Sequence, residues 1–495
     1  MNKPSHICIV MVGLAMFFGC TVGPDYKRPT INVPVAFKEL KGWKEAQPRD
    51  HEITTQWWKV FNDPLLNSLE EQVSISNQSL VQAEAQYRQA LALVQGARAN
   101  YFPQIAATAA FTRAQSSGNN NSNGGTSTAN QHLFSLSAGW EIDIWGRVRR
   151  QVESNTASAQ ASAADLQALR LSLQAELAQD YFLLCTLDAQ KKTLDDTVAA
   201  YQKALELTKN RYAAGVASKA DVILAQTQLK STQAQSIDIG ILRAQLEHAI
   251  ALLIGKAPAD FSIPTTSITA KMPQIPTAIP SALLERRPDI ASAERSIAAA
   301  NAQIGVAKSA YFPSLSLSAS TGYQSSGLVD LFAAPGFFWA LGPVALAQTL
   351  FDGGARKAQT EQAIAAYEGT VAAYRQTVLA SFQQAEDNLS TLRILEDEAR
   401  VQDEALISAR ESVTLTTNQY KAGTVSYLNV IITQYVALTN ERAVLGIRGQ
   451  RLTAAILLIK ALGGGWNASE LPTPDRLVGK PTMRDGDKQI SAPWF

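Results

Sequence analysis

The sequence predicts a mainly α-helical protein that also carries transmembrane β-strands, built as two tandem repeats. Three observations carry that prediction. A set of landmarks recurs in the same order about two hundred residues apart, which marks the duplication of one large unit rather than a short-period solenoid. Residues 147–212 and 357–420 contain no proline and place apolar residues at steps of three and four. Residues 132–145 and 313–324 alternate apolar with small polar residues at period two.

The duplication is written in four pairs. Tyr-Phe-Pro stands at 101–103 and again at 311–313. "DIWGRVRRQ" (143–151) is echoed by "FDGGARKAQ" (351–359), "NRYAAGVASKADVILAQ" (210–226) by "NQYKAGTVSYLNVIITQ" (418–434), and "LIGKAP" (253–258) by "KALGGGW" (460–466). At 495 residues the chain exceeds one compact core, and two elongated halves fit that length.

In chain order, the N-terminus comes first. Lys3 precedes an apolar run from Ile7 to Phe18, long enough for a signal-peptide core and too short to span a bilayer. Gly19-Cys20 then resembles the cleavage site of a bacterial lipoprotein, in which Cys20 becomes the acylated first residue. Phe17 and Phe18 depart from that pattern, and an ordinary secretory signal with an incidental Cys20 is the alternative. Acyl chains would attach the protein to a membrane without a spanning helix.

The strands follow. Phe134, Leu136, Ala138, Trp140, Ile142 and Ile144 fall on one face of 132–145, with Ser135, Ser137, Gly139, Glu141 and Asp143 on the other. Leu315, Leu317, Ala319, Thr321 and Tyr323 alternate with Ser314, Ser316, Ser318, Ser320, Gly322 and Gln324. Stretches 104–115 and 338–351 pair with these, giving hairpins at 104–145 and 313–351. A soluble sandwich also alternates. The serine-rich second face suits a water-filled lumen, and the long connections 116–130 and 325–336 suit an outer-membrane barrel. Tyr101, Phe102, Trp145, Tyr311, Phe312, Trp339 and Phe351 sit where an interfacial girdle would place them. Proline after each aromatic pair ends a helix and starts a strand. Because about eight strands are the smallest usual barrel, four per chain require several chains in one barrel.

The stretches 147–212 and 357–420 read as rods of roughly 100 Å at about 1.5 Å per residue. Their spacing near 3.5 predicts left-handed supercoiling. Each rod ends in a tip. Gly215 and Gly423 stand at the expected C′ position, Ser218 and Ser426 follow as N-caps, and Asp221 stands at N3 of the next helix. Residues 470–495, with several Pro, Gly and charged residues, read as a poorly structured tail.

Several classes of function are excluded by composition. A net charge of +1 gives no sign of a nucleic-acid partner. Four scattered histidines and three cysteines offer no metal-ligand spacing and no disulfide framework, and no cofactor is implied. The Gly run 463–465 lacks the Lys-Ser/Thr of a phosphate loop, and no catalytic constellation stands out. A non-spanning coiled-coil scaffold is a rival that the serine-alternating strands oppose.

With "CTVGPDYKRP" (20–29), the paired Tyr-Phe-Pro, "FDGG" (351–354) and the two tips, the chain resembles the TolC-like outer-membrane efflux factors, NodT or OprM type, from Cys20 to about Gly465. The resemblance implies a trimeric tube: a shared 12-stranded β-barrel, four strands per chain, continued by a long periplasmic α-helical barrel. It implies the exit duct of a tripartite pump for small molecules, lipid-anchored in the outer membrane, with a periplasmic adaptor and an inner-membrane transporter of RND type as partners. A duct for type I protein secretion is the alternative. By the same resemblance, Arg211, Tyr212, Gly215, Ser218, Tyr420, Gly423 and Ser426 form the adaptor-contact tips. The periplasmic gate falls to Leu428, Asn429, Ile432 and Asp221. Here the chain departs from its relatives: Gln419 stands where Arg is usual, Ile432 where Asp is frequent and Tyr435 where a second Arg often follows. Leu428 and Ile432 then form an apolar constriction with Asn429 and Asp221 as polar neighbours. The implied division is 1–19 signal, 20–64 extended segment, 65–260 first repeat, 261–280 linker, 281–467 second repeat and 468–495 tail.

Overall fold

The computed structural model describes residues 21–39, 56–116, 127–266, 272–273, 275 and 280–478. Cys20, the apolar N-terminal run and most of the first connecting loop lie outside the described residues. The first repeat runs α1 (Pro64–Ser76), α2 (Gln78–Ala99), β1 (Gln104–Ser116), β2 (Ser127–Ile142), α3 (Arg147–Ala213) and α4 (Lys219–Leu253). The second runs α5 (Pro280–Arg286), α6 (Pro288–Ser309), β3 (Ser314–Ser325), β4 (Phe337–Ala347), α7 (Ala355–Lys421) and α8 (Tyr427–Ala461), with a short α9 (Pro474–Val478) after it. Among the described residues no helix is long and apolar enough to cross a membrane.

The strands form one antiparallel sheet in the order β1-β2-β3-β4. Register aligns the alternation across all four. Ala109, Phe134, Tyr323 and Phe337 make one row, Ala107, Leu136, Thr321 and Trp339 the next, and Ile105, Ala138, Ala319 and Leu341 a third. The row of Trp140, Leu317 and Val344 extends this face. On the opposite face Ser137 pairs with Ala106 and Ser320, and Glu141 with Ser316. Ile105, Phe111, Phe134, Leu136, Trp339, Leu341, Val344 and Leu346 are exposed on the apolar face of the single chain. β1 and β4 are unpaired edges, the kind of template that a neighbouring chain completes.

Both outgoing strands stop earlier than the alternation suggested. β2 ends at Ile142, not at Trp145, and β4 at Ala347, not at Phe351. The cause is helix capping. Asp143 accepts hydrogen bonds from the Val148 and Arg149 N–H groups at 3.0 and 2.9 Å, and Asp352 accepts from those of Gly354 and Arg356 at 3.0 and 3.2 Å. These carboxylates satisfy orphan donors at the start of each rod. At this junction the Trp145 ring stacks on Phe312 at 4.8 Å, and its Nε1 donates to the Pro313 carbonyl at 2.7 Å. The second Tyr-Phe-Pro therefore locks the sheet of one repeat to the rod of the other.

α3 and α7 are 67 residues each. Each shorter helix next to the sheet, α2 and α6, meets its partner end to end. Asn77 splices α4 to α2: its Oδ1 accepts from the Leu80 N–H at 3.1 Å while its Nδ2 donates to the Leu253 carbonyl at 2.8 Å. Arg287 splices α8 to α6, donating to the Ala461 carbonyl at 3.1 Å and held by Asp289 at 2.6 Å. Gly255 and Gly463 end α4 and α8 with positive φ, and a Cβ on either would strike a backbone carbonyl at 2.2 Å. The "LIGKAP" and "KALGGGW" landmarks are these joints.

Around the splices lies the main core, with Trp57, Phe61, Leu66, Tyr181, Phe182, Leu283 and Tyr374 buried. Residues 21–39 form a strap across both repeats. Val22 N–H donates to the Trp145 carbonyl at 3.1 Å, the Asn301 side chain to the Pro24 carbonyl at 2.9 Å, and Arg150 pairs with Asp25 at 2.9 Å. Farther along the strap, Glu386 on α7 accepts from the Lys38 and Glu39 N–H groups at 2.6 and 3.0 Å. The start of the expected tail packs on the helices: Leu477 on α9 is buried against Val94 and Ala159, and Leu471 packs against Ala164 and Trp466. The tail beyond residue 478 lies outside the described residues.

Candidate functional site: the paired helical tips

Both tips close with the same backbone. The Gly215 N–H donates to the Tyr212 carbonyl at 2.9 Å and the Val216 N–H to that of Arg211 at 2.8 Å. Gly423 and Thr424 repeat this to Tyr420 and Gln419, both at 3.0 Å. These are Schellman caps, and Gly215 and Gly423 adopt φ of +76° and +78° in them. A Cβ at either glycine would meet nothing within 4 Å, so the positive φ, not crowding inside the chain, calls for glycine. The surface around both remains open.

The helix starts differ. Ser218 Oγ accepts from the Asp221 N–H and Asp221 Oδ2 accepts from the Ser218 N–H, both at 3.1 Å, completing a capping box. Ser426 occupies the same N-cap position, yet its hydroxyl makes no cap hydrogen bond. Asn429 stands at N3, where the first tip has Asp221. The Asp221 carboxylate is thus engaged on α4, while Leu428, Asn429 and Ile432 stand together on α8.

A small core ties the tips to each other. Tyr201, Leu205, Ala225 and Leu229 from the first repeat pack with Tyr420, Tyr427 and Val430 from the second. Tyr420, expected on the contact surface, is only 6% exposed. Its ring is the floor of the tip, because Arg211 lies over it at 4.6 Å and Tyr427 meets it at 5.2 Å. Arg211 Nη1 also donates to the Lys421 carbonyl at 3.4 Å. Burial, with the neighbouring Tyr420 and Tyr201 and the Asp221 charge, pushes the Tyr427 phenol up to about 12. Tyr427 does not stand out in the sequence, and Tyr201 stands out only as one of the apolar residues recurring along the first rod. The signal for Tyr201 is a large aromatic in a segment rich in Ala, Lys and Thr, whereas Tyr427 stands in an apolar stretch that hides it.

On the outside of α8, Leu428, Ile432 and Tyr435 are exposed at 49%, 52% and 57%. Their spacing places them on one face. The first charged residue of α8 is Glu441, so the first turns of that helix carry no charge. Tyr212 and Val216 are exposed on the first tip.

The chain is therefore of the class whose two-repeat helical rods carry a four-stranded sheet at one end and paired hairpin tips at the other. Residues 69–256 and 279–464 match the family model described as outer membrane efflux protein, and the chain belongs to that family. It is 29% identical over 451 residues to the toluene efflux pump outer membrane protein TtgC of Pseudomonas putida, covering 90% of this chain and 93% of that one. It is 32% identical over 422 residues to the pyoverdine export outer membrane protein OpmQ of Pseudomonas aeruginosa, covering 83% and 88%. Among solved structures it resembles the outer-membrane channel OprN, with a TM-score of 0.84, 28% identity and coverage of 90% and 100%. The protein is an efflux channel of the Gram-negative outer membrane with the TolC-like fold.

Proposed function

We propose that three copies of this chain form the exit duct of a tripartite pump for small molecules. The carrying observation is the sheet: one continuous apolar face, an opposite face rich in serine, and two unpaired edges, β1 and β4. Joining β4 of each copy to β1 of the next closes twelve strands into a lipid-embedded cylinder with a wet lumen. The rods continue that lumen through the periplasm. Cys20 carries the acyl anchor; the strap, fixed by Val22 at Trp145, would hold it at the periplasmic rim of the sheet. The division into signal, two repeats, linker and tail belongs to the same reading.

The tips are the entrance. Tyr212, Gly215, Ser218, Gly423 and Ser426 offer the open small-residue surface that receives a helical hairpin of the adaptor, which in turn bridges to an RND-type transporter. Leu428 and Ile432, with Tyr435, form an apolar ring that closes the entrance by dewetting. Asn429 and Asp221 are its polar neighbours. Relatives of comparable identity serve toluene efflux and pyoverdine export, which supports a duct of one build for different cargoes, with the transporter as the selecting component.

Photo-cross-linkers at Tyr212 and Val216 test the assignment. The expected product is one periplasmic protein with a long helical hairpin. Capture of nothing at either position, with efflux intact, would remove the tips from the adaptor interface.

A further inference from the structure

The two loops that join the strands of each hairpin differ in kind. Residues 116–130 read "SSGNNNSNGGTSTAN", whereas 325–336 read "SSGLVDLFAAPG", with Asp330 their only charged residue. The second loop is compact. Leu331 is buried, and the N–H groups of Ala333 and Gly336 donate to the carbonyls of Asp330 and Ala333 at 3.1 and 2.9 Å. The loop also folds sideways. The Phe332 ring meets Phe134 at 5.8 Å and Tyr323 at 5.5 Å, and Tyr323 meets Phe337 at 5.4 Å. Phe134, Tyr323 and Phe337 form the last row of the apolar face shared by β2, β3 and β4, one row inside Phe111, His132 and Ser325. Phe332 therefore adds to that face at the level where the pairing of β3 and β4 ends. Beside it Leu328 is exposed and Val329 is 98% exposed. A contiguous apolar patch of this kind needs an occupant.

We infer that residues 326–336 are a membrane-lying flap whose Leu328, Val329 and Phe332 take the acyl chains of outer-leaflet lipid. The inference rests on the reading that the apolar sheet face meets lipid, and continuity with that face identifies the occupant. Aromatic rings at this height belong to an interfacial belt, with Asp330 at headgroup level. A flap committed to lipid is not a lid over the mouth of the tube.

The test uses the full-length protein in phosphatidylcholine vesicles containing doxyl-labelled lipid. An environment-sensitive fluorophore is placed at Val329→Cys, at Trp339→Cys on the sheet face, or at Lys192→Cys on α3, with the labelled unsubstituted protein as blank. The flap predicts that the label at 329 is quenched by doxyl lipid to an extent similar to 339 and resists aqueous iodide, whereas 192 is quenched by iodide. Lipid quenching at 339 with iodide quenching at 329 would overturn the flap and leave the barrel standing. Cross-links between copies through position 329 would do the same, because they would make the loop a lid. Iodide quenching at both 329 and 339 would overturn the flap together with the lipid-facing sheet.

Discussion

The first and second tips are copies of one hairpin finished for different tasks. The first is stapled by side chains: Ser218 and Asp221 complete a capping box, and Arg211 reaches across to the second repeat. The second keeps the Schellman turn and the N-cap serine but lacks the acid at N3, and leaves an uncharged, apolar face on α8. Both backbone turns depend on a glycine with positive φ, with the Thr424 hydroxyl adding a hydrogen bond to the Gln419 carbonyl in the second, so most side chains around them are free to diverge. One tip is stapled by side chains, and the other presents an uncharged apolar surface.

The largest way to break this contrast is to charge the second tip. With the apolar ring proposed above, Leu428→Asp with Ile432→Asp should give a conducting, cation-selective entrance, read as several-fold higher conductance in planar bilayers than the parent shows. Ile223→Asp on the first tip should change selectivity far less. Equal effects from both tips, or none from the second, would remove the apolar ring.

Next comes the shared floor. Tyr420→Ala should cost about 3 kcal/mol of local stability, as for other buried aromatic truncations. Hydrogen exchange should rise in both tips together, because Tyr420 contacts both repeats. Its first-tip counterpart Tyr212 is half exposed, and Tyr212→Ala should stay within about 0.5 kcal/mol. A rise confined to the second tip would show that the floor does not join the two.

The Tyr427 phenol gives a pH signature. Its folded-state value is raised above the ordinary tyrosine value, so its contribution is complete below the unfolded value and is lost as pH rises through about 12. Tip exchange should therefore accelerate between about pH 10 and 12, and Tyr427→Phe should remove that step. Persistence of the step in the Phe variant would assign it elsewhere.

The smallest effects are the sharpest comparison. Ser218→Ala should cost about 1 kcal/mol, and Ser426→Ala close to nothing, since only the first hydroxyl caps a helix. Asn429→Asp should supply the missing acid at N3, stabilise α8 by a few tenths of a kcal/mol, and make Ser426→Ala costly. Equal costs for the two serines in the parent protein would contradict the difference described.

The parts legible in the sequence were those with local periodicity. The α3 and α7 boundaries, the alternation of β2 and β3 and the C′ glycines Gly215 and Gly423 are set by neighbours a few residues away. What was not legible depends on distant partners. Nothing local says that Asn77 caps one helix while donating to the end of another 176 residues away. The same holds for Arg287 at the second splice, and for Tyr420, whose burial needs Arg211 and Tyr427 on other helices. Strand ends were misjudged because Asp143 and Asp352 continue the region of alternation while serving the following helix. The strap 21–39 has no periodicity of its own and is fixed by Trp145, Arg150, Asn301 and Glu386.

A barrel closed by four strands from each of three copies must join them through the β1 and β4 edges. Oxidative cross-linking of full-length chains that carry one cysteine on β1 and one on β4, in native outer membranes, tests it directly. Linked species that end at three copies are expected. Chains that never link to one another, with both edges protected within a single copy, would contradict it.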